Sequence, residues 1–238
     1  MTNRVIHMSE HKIDCNCIDC LAMRKPFSSL SNDELALLQK KKYIVNYNPG
    51  ETIVKQGSAM THLACLYAGL TKVYLEGLNG NNLILQLMKE GDLIIGPGIF
   101  TDYMHHHTVT AVAKSTVCFI DLHDYLTIMH GNHDFAKQSH QFENLKKINT
   151  LQRFLSLTQK QMSGRIADAL LYLHDSIYET NPFKIDITRR ELGDMTALCK
   201  ESVIRILKQF HDENVIELKG SHIKILNMDA VRRFSEVG

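Results

Sequence analysis

The sequence has no charge excess, no long hydrophobic run and no low-complexity tract. Lys plus Arg number 27 and Asp plus Glu number 26, so the net charge is +1. A charge this small excludes a global basic field for nucleic acid and a global acidic field for cationic substrates, so a charged partner has to meet a local patch. The longest apolar run, residues 83–88, is interrupted by Gln86 and is far shorter than the roughly 18 residues of a membrane helix.

Export signals and common catalytic motifs are also missing. Residues 1–11 contain no continuous apolar stretch of the kind found in signal peptides, so we expect a cytoplasmic protein without membrane contact. The chain has no Gly-x-Ser-x-Gly elbow, no Gly-x-x-x-x-Gly-Lys phosphate loop and no His-Glu-x-x-His zinc motif. We therefore do not expect an enzyme.

The composition that remains is typical of a globular protein. Hydrophobic residues make up 44% and charged residues 22% of the 238 residues, which is enough for one large or two modest domains. Between Tyr43 and Asp121, short β-branched and aromatic runs alternate with Gly-bearing turns, a pattern that favours a sandwich or barrel. It predicts a β-domain over residues 27–128, after an N-terminal arm over residues 1–26.

Beyond Asp124 the pattern becomes helical, because Gly nearly disappears and apolar residues recur at helical spacing. The recurring residues are Phe135, Phe142, Leu145, Ile148, Leu151 and Leu155. They predict one long helix over residues 129–161, with Gly164 as the break after it. Since nothing in the β-domain is long enough to cover this helix, we interpret the apolar stripe as a dimer seam; the alternative is a helix that packs on its own chain.

A separate, mainly helical domain is predicted over residues 162–238. Thr188 and Glu191 have the spacing of a capping box, in which each side chain accepts a hydrogen bond from the other residue's amide, so a helix should begin here. A second helix is predicted by the apolar positions Val203, Ile206, Leu207 and Phe210. Two short helices joined by a tight turn form a helix-turn-helix, and residues 215–225 add a hairpin of two short strands, as in a wing.

The solvent-facing side of that second helix is polar and carries charges of both signs. It consists of Lys200, Glu201, Ser202, Ile204, Arg205 and Lys208. Such a mixture suits a major groove, where Arg or Lys donates to guanine, Glu accepts from cytosine N4 and an apolar group contacts a thymine methyl. The alternative is an ordinary surface ion pair between Glu201 and Arg205. Besides these six residues, we predict contacts to double-stranded DNA from Thr188, Arg189, Ser221 and His222.

Residues 187–193 and 200–208 closely resemble the helix-turn-helix signature of the CRP/FNR family of bacterial transcription regulators. In this resemblance Glu201 and Arg205 match the family's base readers. The β-domain resembles the family's cyclic-nucleotide-binding β-roll in residues 47–57, 66–74 and 89–94.

The resemblance implies an α+β fold, with an N-terminal cyclic-nucleotide-binding-like β-roll (a double-stranded β-helix), a long dimerisation helix and a C-terminal winged helix-turn-helix. It also implies a sequence-specific DNA-binding regulator that acts as a homodimer on a pseudo-palindromic operator, with RNA polymerase as a further partner. Three positions differ from the family: Ala197 replaces the turn Gly, Cys199 a Ser or Thr cap, and Ile204 a small residue. The operator half-site therefore stays open.

The effector pocket that the resemblance implies has lost its two charged groups. In the family a Glu takes the ribose hydroxyl and an Arg takes the phosphate of a cyclic nucleotide. Here residues 95–100 contain no carboxylate, and His107-Thr108 replaces the family's Arg-Ser. A His with an ordinary pKa near 6.5 is a poor substitute for a permanent cation. We therefore predict an effector pocket at Gly96, Pro97, His107 and Thr108 that does not take cyclic AMP.

Cysteines near the N-terminus form a second candidate site. In the cytoplasm the six cysteines are more typical of thiols or metal ligands than of disulfides. Three thiolates within six residues, at Cys15, Cys17 and Cys20, suit an iron–sulfur cluster or zinc. The resemblance to the FNR branch, which holds a [4Fe–4S] cluster, implies Cys118 as the fourth ligand. The alternative function is therefore a redox or gas sensor regulator with a cluster or metal held by these cysteines. The alternative is a set of reduced thiols on the arm.

The run His105-His106-His107 is a further candidate for metal binding. A His-x-His pair is found in metal-dependent enzymes on cupin-like barrels, a different class of function. Such sites also need a carboxylate soon afterwards on the same strand, and residues 109–113 supply none. The alternative interpretation of this run is a solvated loop.

Overall fold

Strands occupy the first part of the chain and helices the second in the computed structural model, which describes residues 26–237. A 3₁₀ turn (Phe27–Ser29) and helix α1 (Asn32–Gln39) precede the first strand. The eight strands that follow are β1 (Tyr43–Tyr47), β2 (Thr52–Val54), β3 (His62–Ala68), β4 (Leu70–Leu75), β5 (Leu83–Lys89), β6 (Leu93–Ile94), β7 (Thr108–Ala111) and β8 (Ser115–Asp121).

These strands form two four-stranded antiparallel sheets, with the orders β1-β8-β3-β6 and β2-β7-β4-β5. The space between the sheets is filled by a cluster of buried apolar side chains that includes Leu66, Val73, Val109 and Val117. Strand β5 lies at the edge of its sheet, so one side of its backbone has no strand partner within that sheet. This edge is where the rest of the chain packs.

Two helices connect the β-roll to the C-terminal domain: α2 (Leu122–Gly131) and α3 (His133–Gln159). The backbone is extended at Asn132, whose side-chain oxygen accepts a hydrogen bond from the Phe135 amide at 2.9 Å and caps α3. The long helix therefore starts inside the predicted range of 129–161 rather than at its first residue.

The long helix ends at Gln159, close to the predicted residue 161, but Gly164 is not the break after it. The backbone is already extended at Lys160 and Gln161, and Gly164 lies buried in the first turn of the next helix, α4 (Met162–Tyr172). A single glycine costs an α-helix only about 1 kcal/mol relative to alanine, so glycine alone does not end a helix.

The C-terminal domain has the predicted winged helix-turn-helix architecture. After α4 the chain makes a π-helical segment (Leu173–Tyr178) and a three-stranded sheet of order β10-β11-β9 beside three further helices. The elements are β9 (Phe183–Lys184), α5 (Arg189–Thr196), α6 (Lys200–Asp212), β10 (Ile216–Lys219), β11 (His222–Ile225) and α7 (Met228–Val237). The α+β fold predicted from the sequence is confirmed.

The C-terminal domain packs directly on the outer face of the sheet that contains β4 and β5. Leu70, Ile84 and Leu87 of that sheet belong to the same buried cluster as Leu192 and Val203 of the helix-turn-helix. Among the helices of residues 26–237, none combines the length and apolar content needed to cross a bilayer.

Candidate nucleic-acid interface

Helix α5 begins with the predicted capping box. The Thr188 hydroxyl oxygen accepts a hydrogen bond from the Glu191 amide at 3.1 Å, and the Glu191 carboxylate accepts one from the Thr188 amide at 2.7 Å. These two bonds satisfy amides that the first turn of a helix otherwise leaves unpaired. The start of the helix-turn-helix is therefore set by local sequence.

The turn between α5 and α6 is tight because Gly193 lets the chain come close. A Cβ at Gly193 would collide with the carbonyl oxygen of Leu198, and the Leu198 amide donates to the Gly193 carbonyl at 3.0 Å. Ala197 ends α5 with a left-handed backbone at φ +53°, a conformation that glycine adopts more readily. Ala197 therefore adopts the left-handed backbone conformation that a glycine would favour at this position of the turn.

Helix α6 presents one apolar and one polar face, as predicted. Val203, Ile206, Leu207 and Phe210 are buried in the domain core. The opposite face is exposed, including Ile204, whose side chain is 46% exposed, and Ser202 is half-buried beside it. The exposed residues of this side are Lys200, Glu201, Ile204, Arg205 and Lys208. We call these five residues and Ser202 the reading face.

Glu201 and Arg205 make no ion pair with each other in the described part of the chain. The Arg205 guanidinium instead approaches the Met162 sulfur at 4.0 Å. The alternative interpretation of these residues as an ordinary surface pair therefore has no support in the geometry. Both side chains are exposed and available to a partner.

Cys199 is the N-cap residue of α6, at the position where the family pattern has Ser or Thr. Its side chain makes no capping bond to the backbone, and its sulfur lies 3.2 Å from the Ser202 hydroxyl. The hydrogen bond with the Ser202 hydroxyl lowers the pKa of the Cys199 thiol. Ser202 therefore serves the start of the helix as well as the reading face.

The wing is the hairpin of β10 and β11, whose exposed tip carries Ser221 and His222. The Arg189 guanidinium donates to the Gly220 carbonyl at 3.1 Å, so Arg189 joins α5 to the wing. The structure brings the reading face, Thr188 and the wing tip into one domain. Arg189 is half-buried. A contact of Arg189 with DNA would therefore use a side chain that already donates a hydrogen bond to the wing.

Lys72 in β4 was not predicted as a functional residue. Its ammonium group pairs with the Glu191 carboxylate, and both side chains are largely buried. Burial raises the pKa of Glu191, but hydrogen bonds from Lys72 and Thr188 outweigh burial and leave the pKa lowered. No local pattern reveals this contact because 119 positions separate the two residues.

The predicted effector pocket is only partly assembled. A Cβ at Gly96 would lie 3.3 Å from the His107 ring, so these two residues are in contact. Burial, and then the neighbouring charges of His105 and Lys146, lower the pKa of His107 to about 4, so its ring is neutral at pH 7. Pro97 is exposed beside them.

Thr108 is the first residue of β7 and is completely buried. Its hydroxyl donates to the Glu76 carboxylate at 2.5 Å and accepts from the Gln56 amide at 3.0 Å. The Lys55 ammonium pairs with the same carboxylate at 2.5 Å. The Glu76 carboxylate therefore lies directly beside Thr108.

The run of three histidines is not the solvated loop of the alternative interpretation. His105 and His107 are buried, and only His106 is exposed, where it pairs with Asp102 at 3.0 Å. Within residues 26–237, no three His, Cys, Asp or Glu side chains are grouped closely enough to hold a metal ion.

Of the predicted cluster ligands, Cys15, Cys17 and Cys20 lie outside the described residues. Cys118 is buried in β8, directly opposite Cys65 of β3. Both cysteines belong to an apolar cluster that also contains Phe27, the second described residue.

Comparisons with known proteins agree with both domains. Residues 44–132 match the model of the cyclic nucleotide-binding domain family, and residues 164–234 match that of the Crp-like helix-turn-helix domain. The chain is 27% identical over 188 residues to the cAMP-activated global transcriptional regulator CRP of Salmonella typhimurium, covering 77% of this chain and 89% of that protein. It is 24% identical over 235 residues to the fumarate and nitrate reduction regulatory protein of Yersinia pestis, covering 97% and 90%.

Among solved structures, FixK2 from Bradyrhizobium japonicum has the same fold. The TM-score is 0.76 at 18% identity, and the alignment covers 83% of this chain and 98% of FixK2. The chain has a β-roll, a long helix and a winged helix-turn-helix, and both domains match the sequences of known regulators. It therefore belongs to the CRP/FNR family of DNA-binding transcription regulators.

Proposed function

We propose that the protein is a homodimeric regulator that reads a pseudo-palindromic operator through the reading face of α6. The observation that carries this proposal is the exposure of that face while the opposite side of α6 forms the domain core. In the proposed complex Arg205 and the two lysines donate to guanine or phosphate, Glu201 accepts from cytosine N4, and Ile204 contacts a thymine methyl. Thr188, Arg189, Ser221 and His222 contact the sugar–phosphate backbone.

The apolar stripe of α3 supports the homodimer. Five large apolar side chains on this 27-residue helix are about half exposed or more: Leu145, Ile148, Leu151, Phe154 and Leu155. A monomer seldom leaves so continuous an apolar surface in water, and pairing with the same helix of a second copy would bury it. The two recognition helices then enter successive major grooves about 34 Å apart.

We further propose that the effector of this regulator is a molecule other than cyclic AMP. A neutral His107 provides no cation for a phosphate, and the Thr108 hydroxyl already donates to the Glu76 carboxylate. An effector changes how α3 pairs with α3 of the second copy. This change alters the distance between the two recognition helices. RNA polymerase is the further partner, in the cytoplasm.

The test uses the purified full chain and a pool of random duplexes. Sequences enriched from the pool should bind far more tightly than random duplex of the same length. Arg205→Ala should cost about 1–3 kcal/mol of binding free energy and relax the preference at one base pair of each half-site. Arg232→Ala, an exposed arginine of α7, is the matched control and should change neither. Equal affinity of the wild type for selected and random duplexes would refute the proposal.

A redox-sensing regulator is the second candidate function. The observation that favours it is the buried cluster that contains both Phe27 and Cys118, because the start of the described chain and the predicted fourth ligand belong to the same apolar core. Cys15, Cys17, Cys20 and Cys118 would then hold an iron–sulfur cluster, which supplies an oxygen-sensitive group, or else zinc. Protein purified without oxygen should contain iron and sulfide and absorb visible light, and Cys118→Ala should lose all three. Colourless protein containing zinc would support the metal alternative, and protein free of both would exclude this function.

A further inference from the structure

A cavity of about 500 Å³ lies where three parts of the molecule meet. Its walls come from the long helix α3, from strand β5 of the β-roll, and from α4 and the end of α5 in the DNA-binding domain. The volume is within the range of pockets that hold small molecules. Gly96 and His107 of the predicted effector pocket do not line it.

Arg153 is the residue of this cavity that most needs a partner. Its Nη1 donates to the Leu85 carbonyl of β5 at 2.7 Å, and its Nη2 donates to the Met195 carbonyl at the end of α5. The Nε–H is buried and has no hydrogen-bond partner among residues 26–237. None of the carboxylates described there forms an ion pair with Arg153.

This leaves a full positive charge in a poorly solvated place. Burial lowers the pKa of Arg153, but a guanidinium stays protonated at any pH at which the protein folds. Two carbonyl groups supply only partial negative charge, and removing an unpaired ion from water costs several kcal/mol. A buried donor of this kind in a native protein needs a partner that the described residues do not supply, such as a water molecule, an ion or a ligand.

The other charges around the cavity do not neutralise Arg153. Lys160 pairs with Asp168 at 2.8 Å, and the Arg165 Nε donates to the Lys160 carbonyl at 2.9 Å. Lys146 donates to the Leu93 carbonyl at 2.8 Å and pairs with the Glu143 carboxylate at 3.4 Å. Four basic residues line the cavity against the carboxylates of Asp168 and Asp175, so the lining has a positive surplus.

We propose that this cavity binds a small molecule that carries a carboxylate or phosphate group, with Arg153 as its main charge partner. The buried Nε–H donates to one oxygen of the anion, and a guanidinium binds such oxygens with the strongest hydrogen bonds that proteins make. The bound anion contacts the long helix, the β-roll and the DNA-binding domain at once. Anion binding therefore favours the packing of the long helix, the β-roll and the DNA-binding domain seen in this structure over other arrangements of these parts.

Anion binding is measured on the full chain without DNA, so its result is independent of operator binding. The sequence has no Trp, so Ser176→Trp, at an exposed position on the cavity wall, provides a single fluorescent reporter. This variant is titrated with inorganic phosphate and with succinate, each against sodium chloride at equal ionic strength. We expect a saturable fluorescence change with at least one of the two anions, and the anion that responds shows which class the site prefers.

Three variants in the reporter background identify the site. Arg153→Gln removes the charge and should abolish the response, whereas Arg232→Gln removes an exposed charge on α7 and should leave it intact. Arg153→Lys keeps the charge without the planar fork and should bind about tenfold more weakly, equivalent to 1.4 kcal/mol. Circular dichroism verifies that each variant is folded, and the lysine variant keeps the test decisive if the glutamine variant is not. No saturable response in the folded reporter, or an equal response in the Arg153 and Arg232 variants, would overturn the proposal.

Discussion

His107 occupies the position where the family pattern has an arginine, and burial keeps its ring neutral. The side chain is 8% exposed, and its pKa is lowered to about 4 by burial first and by the charges of His105 and Lys146 next. In the unfolded chain the same ring titrates at its ordinary pKa near 6.5. Between these two values the unfolded state binds more protons than the folded state, so acid favours unfolding.

The titration of His107 predicts a pH dependence of stability. The free energy of unfolding should rise with pH between about 4 and 6.5, and the His107 contribution over that window is roughly 3 kcal/mol. His107→Gln should make this slope shallower, because glutamine does not titrate, and the lowered pKa of the buried His105 accounts for part of the slope that remains. Urea denaturation at pH 4, 5, 6 and 7 measures it.

The matched control for this prediction is His140→Gln, an exposed histidine of α3. It should keep the pH slope of the wild type. If His107→Gln and His140→Gln gave the same slope, His107 would not be buried in its neutral form.

At the scale of the element, helix α3 carries two faces with different tasks. One face contacts its own chain, with Phe135, Ser139 and Ser156 buried. The other face exposes the apolar stripe, in which Leu151 is 62% exposed. Most of the stability of a helix in a protein comes from the packing of its apolar face, so the exposed stripe is available to a second element.

The stripe of α3 predicts that a single charge will separate the dimer. Leu151→Glu would place two carboxylates against each other in the apolar seam, so the dissociation constant should rise about 100-fold or more, roughly 3 kcal/mol. Analytical ultracentrifugation over a range of concentrations measures the constant. Operator affinity should fall in parallel, because a monomer contacts only one half-site.

Leu226→Glu is the control, since Leu226 is also about half exposed but lies outside α3. It should leave the association unchanged. A Leu151→Glu protein that sedimented like the wild type would show that the stripe is not the dimer seam.

At the scale of the whole molecule, the DNA-binding domain is attached to the unpaired edge of β5. The Tyr172 hydroxyl donates to the Leu87 carbonyl at 3.1 Å and accepts from the Leu87 amide at 3.0 Å. The Arg153 guanidinium donates a hydrogen bond to the Leu85 carbonyl of the same strand. Side chains from outside the β-roll thus satisfy backbone groups that an edge strand otherwise presents to water or to another strand.

Removing the Tyr172 hydroxyl should loosen this attachment. Tyr172→Phe leaves both backbone groups of Leu87 without a partner, which costs about 1–3 kcal/mol. The Leu87 amide should therefore exchange its hydrogen with solvent at least about tenfold faster, as hydrogen–deuterium exchange will show. Tyr103→Phe, at an exposed tyrosine of the β-roll, should leave the exchange of Leu87 unchanged. Unchanged exchange in Tyr172→Phe would mean that the hydroxyl does not hold the edge strand.

Local sequence was sufficient for the parts of this molecule whose interactions are short in sequence. The capping box at Thr188 and Glu191 involves residues three positions apart, and the faces of α6 follow from helical spacing, so both could be predicted. The end of α3 at Gln159 lies close to the predicted residue 161, but Gly164 is not the break, because a glycine is a weak signal for a helix end when the neighbouring backbone decides the cap.

Only the tertiary structure decided which distant groups meet. The contacts of Lys72 with Glu191, of Tyr172 with Leu87 and of Arg153 with Leu85 join residues between 68 and 119 positions apart. A side chain carries no local signal of such a partner, because the partner is chosen by how the domains pack. The sequence by itself therefore determined the fold and the reading face, whereas packing decided how the DNA-binding domain sits on the β-roll and where a buried charge lacks a partner.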